Sequence, residues 1–381
     1  MKTPRPRQDW VTVRLLSLVA AGLFLGLIAV ACLLNLSSPR TVDFASFWHA
    51  GGLILRGKAE AVYAVQPSLF GDLMPLAYPP PFLFFLPAFG LMSFGLAFVV
   101  WVGATGLLYV LAAREPARLS LANPVAAYNG LIGQNGFLTA SIMLFAAHSV
   151  RTRPLFGGAL FGLMVIKPQL AVLVPLALAA GRYWLAFVSA ALSAAVLLAL
   201  SAIVFGADAF RGFFEVMPQY AAMLERGRWP WNMLASTFAF VRWFGASPAI
   251  AWVVHCLVGG FAAAMVWRSW REDWDSKIAV LAAASILISP YIFTYDSVLL
   301  VAPFAWLAAR NRAWAAVMWG LLLMPLGISF RIYAGPNSIP VAALLSLVAL
   351  YWINRQTADG LASLIRPASR DSSRDADQAP A

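Results

Sequence analysis

The sequence is poor in charge. Asp, Glu, Lys and Arg make up 11% of its 381 residues, against about 25% in an ordinary soluble domain. That shortage argues against a water-soluble fold, whose surface would need many more charged groups. Cysteine and histidine are also scarce, with two and three residues. Cys32 and Cys256 lie in separate apolar stretches, so neither a disulfide nor a thiol metal site has support. No glycine-rich phosphate loop of the nucleotide-binding kind is present. No acidic cluster has metal-ligand spacing, and no cofactor or metal is expected.

Apolar residues account for 61% of the chain. A chain this apolar is solvated by lipid, where only helices and closed barrels satisfy their backbone hydrogen bonds. A barrel would show alternating segments of about ten residues. The runs here are continuous and rich in Leu, Ala, Val and Phe, so the expected fold is all-α and polytopic. Apolar segments fall at 15–36, 82–113, 119–132, 136–150, 155–166, 169–181, 183–205, 248–267, 277–289, 296–309, 313–330 and 338–353, consistent with about 10–13 membrane segments. The first is too long for a secretory signal and reads as a retained helix. A crossing needs about 20 residues. Segments 119–132, 155–166, 169–181, 277–289 and 296–309 are shorter, which suggests helices ending inside the membrane around a cavity.

The formal charge is +11. The basic residues sit at the ends of apolar runs, as in membrane orientation rather than nucleic-acid binding. With the N-terminus cytoplasmic, about two thirds of the 27 basic residues fall in inner segments, among them Arg114, Arg151, Arg182, Arg268, Lys277 and Arg310. Both termini are then cytoplasmic. Residues 1–355 read as one transmembrane domain with long outer loops at 37–81 and 206–247, each able to hold interfacial amphipathic helices. Residues 356–381 read as a polar, disordered cytoplasmic tail.

Charged or polar groups at such depth are functional candidates. Asp43 follows the first helix in DFASFWHAGG, either as a helix cap or as an acid at the outer interface, with His49 close behind. AYPPPF places Tyr78 before three prolines that stiffen the chain. LIGQNGFL holds Gln134 and Asn135 in a short turn, suited to sugar hydroxyls or to helix ends. VIKPQL puts Lys167 and Gln169 at a helix break; Lys167 is either an anion site or a lysine snorkelling to the interface. LISPYIFTYD carries Tyr295 and Asp296, and ISFRIY carries Arg331, which could clamp a phosphate or simply anchor the interface. All of these fall on the outer face under this topology.

DF-x-x-F-W-x-A-G, Y-P-P, G-Q-N, K-P-Q and S-P-Y…Y-D, in this order from Asp43 to Asp296, resemble glycosyltransferase family 87, mannosyltransferase-like bacterial membrane proteins. The resemblance implies a GT-C architecture in the bacterial inner (plasma) membrane with a periplasmic active site. It further implies transfer of a hexose, mannose favoured, from a polyprenyl-phosphate donor to a lipid or glycan acceptor. The acid that such enzymes carry in the first outer loop maps onto Asp43, here the expected general base for an inverting reaction. Lys167 and Arg331 are the expected phosphate-binding residues. Tyr78, Gln134, Asn135, Gln169, Tyr295, Asp296 and His49 are the expected sugar- or acceptor-binding residues. Some family members carry histidines where this chain reads Tyr295-Asp296. The alternative is a transporter or flippase of a lipid-linked sugar, which predicts polar groups in both membrane halves and often an internal repeat; neither is seen. A non-catalytic envelope scaffold would need no polar cavity.

Overall fold

The computed structural model describes residues 7–37, 43–68, 71–114, 117–228 and 231–365. Helix α1 (Arg7–Ser37) leads to α2 (Phe44–Leu55) and to a small antiparallel ribbon, β1 (Gln66–Ser68) with β2 (Gly71–Leu73), in which Pro67 pairs with Asp72. Proline then dominates the local structure. Pro79 is extended, Pro80–Phe85 forms a 3-10 helix, α3 (Pro87–Gly90) is a single turn, and the long helix α4 (Phe94–Ala113) starts only after Ser93. The apolar run 82–113 is therefore not one helix, because prolines at 80, 81 and 87 fit helix starts and not interiors.

The chain then makes three hairpins of short helices. In the first, α5 (Ala117–Leu121) and α6 (Pro124–Ile132) rise to a tip at 133–135, and α7 (Gly136–Ser149) returns. In the second, α8 (Pro154–Leu163) rises to Lys167, and α9 (Pro168–Ala171) and α10 (Val174–Ala180) return. The 42-residue helix α11 (Trp184–Glu225) bends at Gly206, whose φ of 80° and ψ of 169° are non-helical. Its second half packs over the first outer loop, where the Tyr220 hydroxyl donates to the carbonyl of Pro75. Helices α12 (Thr237–Trp243) and α13 (Pro248–Arg271) follow. The third hairpin rises through α14 (Lys277–Ile288) to a tip at 289–296 and descends through the 3-10 helix Thr294–Leu300 and α15 (Val301–Arg310). Helices α16 (Arg312–Ser329) and α17 (Ile339–Ile365) complete the chain. Residues 356–365, expected in the tail, continue α17, and 366–381 lie outside the described residues.

This is an all-α polytopic membrane protein. Among the described residues, five helices are long and apolar enough to cross a bilayer: Arg14–Ser37, Phe94–Ala113, Trp184–Glu225, Pro248–Arg271 and Ile339–Gln356. Their exposed Leu, Ile, Val and Phe side chains face lipid, where apolar exposure carries no penalty.

The bases of the second and third hairpins, and the end of the first, meet at one end of the molecule. Arg151 lies 3.7 Å from Asp273, Lys277 also pairs with Asp273, and Arg310 pairs with Asp275. The Lys277 ammonium also donates to Tyr183, just past the second hairpin. Exposed pairs of this kind contribute little stability, but they show that the basic loops share a face. The tips lie at the other end. At 1.5 Å per residue, the 14 residues of α7 span about 21 Å and the 12 of α14 about 18 Å. Both fall short of the ~30 Å hydrocarbon thickness, so neither helix crosses a bilayer by itself.

Candidate active site

Two glycines shape the first tip. Gly133 ends α6 with φ 68°, a left-handed conformation that reverses the chain. Gly136 lies so close to the third hairpin that a Cβ there would sit 2.1 Å from the Tyr295 carbonyl oxygen. Between them, Gln134 faces the cavity and Asn135 is fully buried. The indole N–H of Trp101 donates to the Gly133 carbonyl at 2.9 Å and fixes the turn.

Lys167 occupies the second tip, where the helix breaks before Pro168. It is only 2% exposed, which rules out snorkelling. Its ammonium donates to Asn135 Oδ1 at 2.9 Å and to Asp296 Oδ1 at 2.5 Å. It also lies 4.6 Å from the Tyr295 ring centroid and 5.2 Å from that of Tyr78. Asp296 is equally buried and accepts a second bond from the Phe293 amide. One ammonium thus ties all three tips together. The segment 231–236 pins the third from outside: Ala235 N–H donates to the Ile292 carbonyl, and Thr294 donates to the Met233 carbonyl.

From this anchor a hydrogen-bond chain leads to Asp43. The hydroxyls of Tyr295 and Tyr78 are 3.2 Å apart, Tyr78 donates to Gln134 Oε1 at 3.0 Å, and Gln134 Nε2 donates to Asp43 Oδ2 at 3.2 Å. The Asn135 amide also donates to Gln134 Oε1, so the amide presents its N–H face to the carboxylate. Asp43 precedes α2 with helical φ and ψ and makes no capping bond, so the capping alternative fails. Asp43 is exposed to the cavity. The cavity walls around it still displace enough water to raise its carboxyl above the ordinary value, with the Gln134 hydrogen bond acting in the opposite direction.

The cavity has a volume of about 560 Å³, in the range of small-molecule sites. Asp43, Tyr78, Gln134, Lys167, Gln169, Tyr295 and Asp296 all line it. Three expected residues do not. Asn135 lies beneath the floor as a partner of Lys167. His49 faces a separate small recess with Gln66 and Leu53. Arg331 is exposed in a left-handed turn (φ 57°) after α16 and is absent from the lining. Lys167 is therefore the only cation among the described lining residues, and its charge is already engaged by Asp296.

The cavity also holds groups that sequence reasoning missed. Asp72, on the β ribbon, is a further carboxylate, and Tyr128 and Tyr220 add aromatic faces. Tyr128 and Ile132 are four apart on α6, and that helical spacing was the one available signal. Among the described residues, no group of three or more His, Cys, Asp or Glu side chains could hold a metal ion.

The profile of glycosyltransferase family 87 matches residues 76–290, more than half of the chain and the region from the Tyr78 motif through the second hairpin to the third tip. The chain belongs to glycosyltransferase family 87. It is thus a membrane glycosyltransferase with sugar donor and acceptor substrates. The family 87 match starts after Asp43 and stops before Tyr295 and Asp296, so it is narrower than the Asp43-to-Asp296 resemblance. No curated protein and no solved structure matches the chain.

Proposed function

We propose that this family 87 member transfers a hexose, mannose favoured, from a polyprenyl-phosphate donor to a lipid or glycan acceptor. The cavity would face the periplasm of a bacterial inner membrane, with both termini cytoplasmic, as in a GT-C enzyme. One observation carries the reading: Asp43 lines a cavity at the tips of three hairpins of short apolar helices, held by Gln134 and raised in basicity by the surrounding cavity walls.

Asp43 removes the proton from the acceptor hydroxyl. The hydroxyl oxygen attacks the anomeric carbon from the face opposite the phosphate, and the C–O bond to phosphate breaks with its electron pair leaving on the phosphate. Inversion follows from this in-line geometry. Base catalysis of this kind contributes about 10²–10⁴-fold. Lys167 retains one N–H beyond those given to Asn135 and Asp296, since an ammonium has three donors. That N–H stabilises the departing phosphate. Gln134 and Gln169 orient sugar hydroxyls, and the aromatic walls, including the stacked pair Phe293–Tyr295, cover the apolar face of a sugar ring. No step calls on a metal.

The test is transfer by purified protein in nanodiscs from a panel of polyprenyl-phosphate sugars, with the product identified by mass spectrometry. Formation of a glycoside with inverted anomeric configuration is expected. Counterflow of a lipid-linked sugar in proteoliposomes without glycoside formation would instead establish the transporter.

A further inference from the structure

Beside the polar cavity lies a second, apolar hollow of about 290 Å³, between the second hairpin and the first half of α11. Its walls include Phe161, Pro168, Ala171, Val172, Ala190 and Ala191. One face of the segment 167–172 serves the cavity through Lys167 and Gln169; the other serves this groove through Pro168, Ala171 and Val172. The partition between the two is thus a single helical turn, α9.

The groove is built into the packing of α8 on α11. Gly158 and Gly162, four apart, let the helices approach so closely that a Cβ would fall 2.3 Å from the Ala186 carbonyl oxygen and 2.4 Å from that of Ala190. This is the small-residue contact typical of membrane helices. Ser189 and Ser193 donate across the same seam to the carbonyls of Leu155 and Ala159, at 2.7 and 2.9 Å. Past Gly162 the chain leaves helical geometry, passing through the 3-10 turn Met164–Ile166 to the break at Lys167. There α8 parts from α11, and the space between them becomes the groove. Exposed Val172 and Ala191 place its rim at the lipid-facing surface.

We infer that this groove holds the first units of the donor's isoprenoid chain, so that the donor straddles α9 with its sugar and phosphate in the cavity and its tail in the groove. The inference rests on the proposed lipid-linked donor. A ligand with a polar head and an apolar tail fits two adjoining hollows of opposite character, one lined by Lys167 and tyrosines and the other by apolar side chains alone. A free nucleotide sugar would leave the groove without a role.

A binding assay tests this independently of turnover. A long-chain polyprenyl phosphate carrying a photoactivatable diazirine near its phosphate end is added to the protein in nanodiscs. Labelling is expected in peptides spanning 161–178 and 187–194. Excess unlabelled polyprenyl phosphate should compete, and excess phosphatidylglycerol should not. The variant Ala191→Trp, at an exposed position that tolerates bulk, should cut the labelling at least fivefold. In transfer assays it should raise KM at least tenfold for a long-chain donor and change kcat less than twofold. Labelling elsewhere, equal competition by phospholipid, or an Ala191→Trp variant with an unchanged long-chain KM would overturn the groove assignment. Wild-type protein inactive with the long-chain donor would instead contradict the lipid-linked donor, while the labelling pattern would still decide whether the groove binds isoprenoid phosphate.

Discussion

Replacing Lys167 by Met leaves the Asp296 carboxylate buried at 2% exposure with the Phe293 amide, 3.3 Å away, as its one remaining hydrogen-bond donor among the described residues. Breaking one side of a buried ion pair typically destabilises by about 3–5 kcal/mol, because the other charge stays behind without compensation. The loss is expected at the upper end here, since the same ammonium also holds Asn135 and links three hairpin tips. Asp296→Leu strands the ammonium in the same way. The double variant Lys167→Met/Asp296→Leu removes both charges and should lose less than the sum of the singles, by at least 2 kcal/mol of coupling. Equilibrium unfolding in mixed micelles gives the four stabilities. All three variants should be inactive, because Lys167 and Asp296 both line the cavity. Wild-type stability in Lys167→Met, or strict additivity in the cycle, would refute the view that this pair fastens the tips.

The rate should fall as pH drops through the raised Asp43 pKa, because the base works only when ionised, so the acid limb lies above the usual carboxylate range near pH 3.9. Gln134→Leu removes the hydrogen bond that lowers this pKa, and the acid limb of the pH–rate profile should move to higher pH while the alkaline side stays in place. Gly136→Ala should disrupt the fold or separate the first and third tips, seen as lost thermal stability, because the added methyl meets the Tyr295 carbonyl. Arg331→Ala should leave kcat and KM within about twofold, as expected of an exposed residue away from the cavity. A chelator should leave the transfer rate unchanged.

The breaks in the helices were legible because their causes are local. The glycines of G-Q-N-G, the Lys-Pro step at 167–168 and the Ser-Pro-Tyr turn at 289–291 each interrupt an apolar run too short to cross a bilayer. Those interruptions are the hairpin tips. The bend at Gly206 likewise falls where the apolar segment ends. What the sequence could not show was pairing across hairpins. Lys167 and Asp296 are 129 residues apart, and each alone looked like a ligand-facing charge rather than half of an ion pair. Nor could it separate neighbours: the turn shaped by Gly133 and Gly136 brings Gln134 into the cavity while Asn135 goes beneath it. Arg331 sat at the expected end of its helix, but its own left-handed backbone places it in an exposed turn away from the lining.

The central claim is that Asp43 is the base, and the most direct measurement is single-turnover transfer by Asp43→Asn with a saturating lipid-linked sugar. Asn keeps the shape and can still accept from Gln134, so folding should be preserved and donor binding should change little. A rate lowered by about 10²–10⁴-fold, or about 2.7–5.5 kcal/mol in barrier, is the predicted result. A folded Asp43→Asn enzyme turning over at near the wild-type rate would contradict it.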